Sequence, residues 1–154
     1  MPPTPKDPFM EAAIDQARQG LGEGGLPIGS VLVCDGRIIG RGRNRRVQDG
    51  SVIHHAEMNC LENAGRLTAD VYRRCTLYST LSPCPMCSGA VILYGIRRVV
   101  IGENRTFAGP EDLLRAKAVE VLVHDDPECA ALMDTFIRRS PGTWHEDIGA
   151  LGPA

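Results

Sequence analysis

Four side chains in two short clusters have the types and spacing that chemistry needs. His55 stands two residues before Glu57, and Cys84 and Cys87 bracket Pro85-Met86 with Pro83 ahead of them. One imidazole and two thiolates are donors that zinc accepts, and three protein ligands leave the fourth tetrahedral position for water. A glutamate kept off the metal can then take that water's proton and deliver it to a ring nitrogen and a departing amine. Hydrolytic deamination of an amidine-like carbon needs those transfers. Each piece alone has a plainer meaning. C-x-x-C is also a structural zinc half-site or a redox pair, and a histidine at a helix start is more often solvated or capping.

The elements that must position these groups are two helices meeting at their N-termini. A helix is predicted from about His54 to Ala64, closing at Gly65. A second starts at Ser82-Pro83 and runs to Tyr94, stopping at Gly95, with Pro83 at the first helical position. Unpaired N–H groups and the positive dipole end at both starts favour thiolate over thiol. The joint pattern H-x-E…P-C-x-x-C is the signature of zinc deaminases, and neither Pro83 nor His-x-Glu has a role in a redox pair. His54 is a rival ligand, but choosing it would put Glu57 three residues on and break the pattern, so it is assigned to the pocket wall or surface. Cys60, about 140° round the helix from His55, is assigned to the core, as are Cys34, Cys75 and Cys129.

Around these helices the pattern reads as a helix from Pro8 to about Leu21 and a hairpin of strands Ile28–Cys34 and Arg37–Arg43 turning at Asp35-Gly36. Asn44 to Ser51 reads as a polar loop. Strands Cys75–Leu81, Arg97–Gly102 and Val119–His124 then alternate with helices, including Pro110–Ala118 and Pro127–Arg139. An α/β fold results, a mixed sheet of about five strands with helices on both faces. Nothing divides the 154 residues, so one domain over 1–154 is expected, with flexible ends at 1–6 and 150–154. Seventeen Lys and Arg against nineteen Asp and Glu argue against nucleic acid as a partner. The absence of an apolar run of membrane length and of a signal-like start implies no membrane and a cytoplasmic location.

At full length the chain resembles the fungal-type cytosine deaminases within the cytidine-deaminase-like superfamily. The likeness runs through EGGLPIGSVLV, GRGRN, HHAEMNCLENAGRL, TLYSTLSPCPMCSGAVILYGI, VVIGENRTF and TWHEDIG. It implies the three-layer α/β/α deaminase fold, a homodimer with one Zn2+ per subunit, and conversion of free cytosine to uracil and ammonia in pyrimidine salvage. His55, Cys84 and Cys87 would be the metal ligands and Glu57 the proton shuttle that serves zinc-bound hydroxide. Asn44 and Asp147 match base-recognition positions. Backbone groups of Ala56, Ser82 and Cys84 match the reacting end, and Ile28, Phe107, Trp144 and Ile148 match apolar pocket and lid positions. Without the resemblance, Asn44 reads as a turn former and Trp144 and Asp147 as a surface tail.

A carboxylate at 147 accepting a ring N–H would favour free base over nucleoside, whose ring nitrogen carries the sugar. Arg43, His54, Ala56 and His145 depart from the family pattern. They leave open isocytosine, a 5-substituted cytosine, guanine or creatinine as the substrate. From another class, a non-catalytic zinc-stabilised binding module remains, against which the intact Glu57 counts.

Overall fold

The structure, a computed structural model, describes residues 5–152, so of the ends expected to be flexible, 1–6 and 150–154, only 1–4 and 153–154 lie outside the described residues. Asp7 opens α1 (Pro8–Gly22), its carboxylate accepting from the Phe9 amide at 2.9 Å with Pro8 in the first turn. β1 (Gly29–Cys34) and β2 (Arg37–Arg43) form the expected antiparallel hairpin, and Asp35 (φ 51°) and Gly36 (φ 77°) both take the positive φ of its turn. α2 (Arg46–Asp49), α3 (Ala56–Ala64), α4 (Ala69–Arg73), β3 (Cys75–Leu81) and α5 (Pro85–Tyr94) follow. The chain continues through β4 (Arg98–Glu103), α6 (Glu111–Ala116), β5 (Glu120–Val123), α7 (Pro127–Arg139) and α8 (Pro141–Asp147).

The strands make one mixed sheet in the order β2-β1-β3-β4-β5. β1 is antiparallel to both neighbours, while β3, β4 and β5 run parallel, joined by crossovers that contain α5 and α6. Side-chain alternation sorts the central strands into two cores. Leu32, Leu77, Val99 and Ile101 pack with Cys60, Leu61, Val91 and Leu114 on one face. Val31, Val33, Tyr78 and Val100 pack with Met10, Ile14 and Cys129 on the other. The period of two along each strand therefore produces the expected α/β/α layering, and Cys34, Cys60, Cys75 and Cys129 are buried free thiols within it.

Three helices are additional to those read from the pattern. α2 lies in the stretch read as a polar loop, and α4 and α8 are likewise short and lack a long apolar stripe. The start of α5 also differs. It begins at Pro85, with Cys84 as the cap at φ −67°, ψ 174°, rather than at Ser82-Pro83. A residue that precedes proline is pushed towards extended backbone, and both Ser82 and Cys84 do so, which delays the helix by one Pro step.

Two close approaches fix the site's walls. A Cβ at Gly42 would lie 2.2 Å from the Cys60 nitrogen, so only glycine lets β2 seat α3 this closely. One at Gly109 would lie 1.7 Å from the Pro83 carbonyl, so the loop after β4 is pressed onto the segment leading to Cys84.

Candidate active site

The two helix starts meet as the sequence requires. His55 caps α3 with extended backbone (φ −63°, ψ 161°) and makes no side-chain cap, because its ring turns towards α5. His55 Nδ1 lies 3.3 Å from Cys84 Sγ and 3.7 Å from Cys87 Sγ, and the two sulfurs are 3.6 Å apart. Tetrahedral zinc with ordinary bond lengths has N–S edges of about 3.5 Å and an S–S edge of about 3.8 Å, so the triangle fits that ion. The opposite ring nitrogen, Nε2, is 3.1 Å from the Asp147 carbonyl, an outer partner that holds the ring with Nδ1 towards the sulfurs.

Of the three donors only Cys84 is poised as a thiolate, while Cys87 is pushed up by its hydrogen bond with Cys84 and by burial. The Cys84 thiol is pulled down to about 4, foremost by its hydrogen bond with Cys87 and further by His55. Burial works against a charged His55, but the Cys84 hydrogen bond and the charges of Asp147 and Glu57 outweigh it and lift the imidazolium to about 9. Glu57 is buried and not among the ligands, and burial raises its carboxyl above the usual range. Its Oε1 contacts the Ser79 hydroxyl, which also reaches the Leu81 carbonyl at 2.8 Å. One hydroxyl proton cannot serve both acceptors.

A pocket with about 280 Å³ of empty volume opens beside these groups, lined by Ile28, His55, Ala56, Glu57, Leu81, Ser82, Cys84, Phe107, Asp147 and Ile148. Nearly every residue expected around the substrate is in this wall. Asn44 stands behind it, fully buried, its Nδ2 donating to Asp147 Oδ1 at 2.7 Å. Trp144 is also one layer back, edge-on to Phe107 with ring centroids 6.3 Å apart. The segment bearing Trp144 and Asp147 is the helix α8, and both side chains are buried.

Of the departures from the family pattern, Ala56 alone lines the pocket. Arg43 pairs with Glu23 and Gln16, and His54 bridges Asp49 and Glu62 at 2.9 and 2.8 Å. His145 packs near Gly152. Sequence reading missed Ser79, Leu81 and Glu111. Glu111 accepts from Ser82 Oγ at 2.6 Å, and Ser82 Oγ in turn accepts the Gly109 amide at 2.9 Å, so the Ser82 side chain braces the Phe107 loop. A serine in a strand carries no signal for such a role, whereas Glu111 in a helical first turn reads as a dipole partner.

The fold and this metal-ligand triangle define a class. The family model for the cytidine and deoxycytidylate deaminase zinc-binding region matches residues 3–103, and the chain belongs to that family. The chain is 51% identical over 141 residues to a cytosine deaminase of Candida albicans, covering 91% of this chain and 94% of that one. It is 37% identical over 142 residues to a tRNA-specific adenosine deaminase of Streptococcus pyogenes serotype M18, covering 85% of this chain and 89% of that one. A solved structure from work on A-to-I editing by tRNA deaminases at the wobble position superposes with a TM-score of 0.70 at 30% identity, covering 82% of this chain and 99% of that one. The expected kinship with fungal-type cytosine deaminases is borne out, as is zinc as the cofactor, and His55, Cys84 and Cys87 lie close enough together to hold it.

Proposed function

We propose that the protein hydrolyses the exocyclic C–N bond of a free pyrimidine base, cytosine to uracil and ammonia, with Glu57 carrying the protons. His55, Cys84 and Cys87 would hold a zinc ion, which would supply Lewis acidity enough to make a hydrolytic water acidic near neutral pH. Glu57 accepts a proton from water as its oxygen bonds to the amine-bearing carbon. It passes that proton to the adjacent ring nitrogen, then takes the proton still on the added oxygen and hands it to the amine, which leaves as ammonia when the C–N bond breaks. Asp147, positioned by Asn44, accepts the ring N–H, and Ile28, Phe107 and Ile148 cover the ring's apolar surface.

The observation that carries the free-base reading is the buried Asp147 carboxylate in the pocket wall. A nucleoside offers no N–H there and would leave that group unpaired. The kinship with tRNA adenosine deaminases favours a second reading, adenosine within RNA, which the small acidic excess of charge opposes. The finer expectations belong to the same proposal: one domain, a homodimer, and a cytoplasmic place in pyrimidine salvage. Six unpaired thiols suit a reducing compartment, and exposed Leu93 and Tyr94 on α5 suit a partner surface. Among the described residues no helix is long and apolar enough to cross a membrane.

An ammonia-release screen on zinc-loaded protein tests this reading, with cytosine, cytidine, 5-methylcytosine, isocytosine, guanine, creatinine and a tRNA anticodon stem-loop as substrates. Cytosine is expected to give the highest kcat/KM. A higher value for cytidine or the stem-loop overturns the free-base assignment.

A further inference from the structure

Arg46, on the short helix α2, lies outside the pocket yet reaches the helix that covers it. Its Nη1 donates to the Glu146 carbonyl at 2.8 Å and stands 3.9 Å from Asp147 Oδ1, while Nε donates to the Ser51 carbonyl at 3.4 Å. The guanidinium is only 13% exposed. It sits against the last turn of α8, where the Glu146 carbonyl also accepts the Gly149 amide at 3.3 Å and the negative dipole end favours a cation. Its Nη2 contact to the Glu146 carboxylate, at 3.4 Å, ends on a side chain 74% exposed and adds little.

The Ser51 end of this bridge is built into the metal-ligand segment. Ser51 Oγ accepts the amides of Ile53 and His54, each at 3.2 Å, and Arg45 N donates to the His54 carbonyl at 2.9 Å. Between α2 and α8 lies a cleft of about 210 Å³ lined by Leu26, Arg46, Val47, Thr143 and Glu146. The outer edge of α8 is therefore not closed by apolar packing on this side, and the guanidinium spans the gap.

We propose that Arg46 is a positioning residue that latches α8 over the pocket, tying the cover and its Asp147 to the segment that presents His55. The latch rests on the reading of α8 as the substrate pocket's cover. When Arg46 lets go, α8 is retained by Trp144 against Phe107, by the Asn44–Asp147 bond and by its junction with α7. Trp144 is itself buried in an apolar cluster with Leu26, Met133 and Phe136, so substrate entry and product exit need that packing to loosen along with the polar contacts.

The sequence provides its own reporter, since Trp144 is the sole tryptophan and lies on α8. Acrylamide quenching of its fluorescence, below the melting range, is compared in the wild type, Arg46→Met and Arg46→Lys. Arg46→Met is expected to raise the quenching constant about twofold or more. It should also raise KM about tenfold, a larger factor than the fall in kcat, because less of the protein is closed. Arg46→Lys, whose ammonium reaches one carbonyl but not both, should fall between the two.

Quenching identical to wild type in Arg46→Met overturns the latch, as does a lowered melting midpoint unaccompanied by any change in quenching. Should Arg46→Met fail to fold, Arg46→Lys decides by the same criterion. Quenching needs no turnover, so a wild type inactive on every amidine would sink the substrate reading while leaving the latch to be judged on Trp144.

Discussion

Replacing Asp147 by Asn removes one charge and turns one acceptor into a donor with almost no change in volume. The side chain is 3% exposed, and each of its polar contacts runs to Oδ1: Asn44 Nδ2 at 2.7 Å, His55 Nε2 at 3.4 Å and Arg46 Nη1 at 3.9 Å. Oδ2 is thus the oxygen left for the substrate. In the variant the amide oxygen must stay towards Asn44, since that partner donates, so the amide NH2 takes the Oδ2 position and faces the ring N–H. The charge-assisted bond lost is worth about 1.5–3 kcal/mol and the opposed donors cost about 1–3 kcal/mol more, together about 2.5–6 kcal/mol. On free cytosine that is a fall in kcat/KM of about 10²–10⁴. A coupled ammonia assay measures it, alongside thermal melting. A loss under tenfold, or one that merely follows a collapse in melting temperature, would refute the recognition role and return Asp147 to a packing residue.

Glu57→Gln should retain zinc and fold while losing at least about 10²–10⁴ in kcat, because an amide cannot accept and return the proton; unchanged ammonia release would remove Glu57 from the chemistry. In metal-stripped protein at pH 7, iodoacetamide should modify Cys84 first, its thiol being pulled down to about 4 foremost by Cys87. Cys60, Cys75 and Cys129, pushed up to about 12 by burial, should resist. Peptide mapping reads the order, zinc should protect Cys84, and prior labelling of a core thiol would contradict it. Glu23 is held down to about 2, first by its Arg43 hydrogen bonds and then by Gln48. A depressed folded-state value gives stability present above the unfolded carboxylate range and lost as pH falls towards 2. With the side chain 39% exposed, the contribution is below about 1 kcal/mol. The melting gap between wild type and Glu23→Gln should close between pH 5 and 2, and a pH-independent gap would count against it.

Much of this architecture is legible in the chain because local chemistry and global packing agree. Asp35-Gly36 marks the hairpin, Gly65 and Gly95 mark the ends of α3 and α5, and the cysteine and histidine clusters fall at helix starts by the same spacing that makes them ligands. The start of α5 was misread by one proline because two Pro residues compete for the first turn. The short helices are less legible for a different reason. PGTWHED has no repeating apolar stripe, and α8 is held by contacts to distant residues: Phe107 beneath Trp144, and Asn44, 103 positions away in sequence, beneath Asp147. Asn44 and Asp147 were accessible through family resemblance alone, since an Asn in a loop and an Asp near the end of a chain have commoner uses. Ser79 offered no signal at all, because its role depends on which buried carboxylate the sheet places beside it.

X-ray absorption at the zinc edge of the purified protein tests the central claim most directly. The site described here predicts one zinc per chain with two sulfurs at about 2.3 Å and two nitrogen or oxygen neighbours at about 2.0–2.1 Å, one of them from solvent. Three or more sulfurs, or no zinc retained by the folded protein, would contradict it.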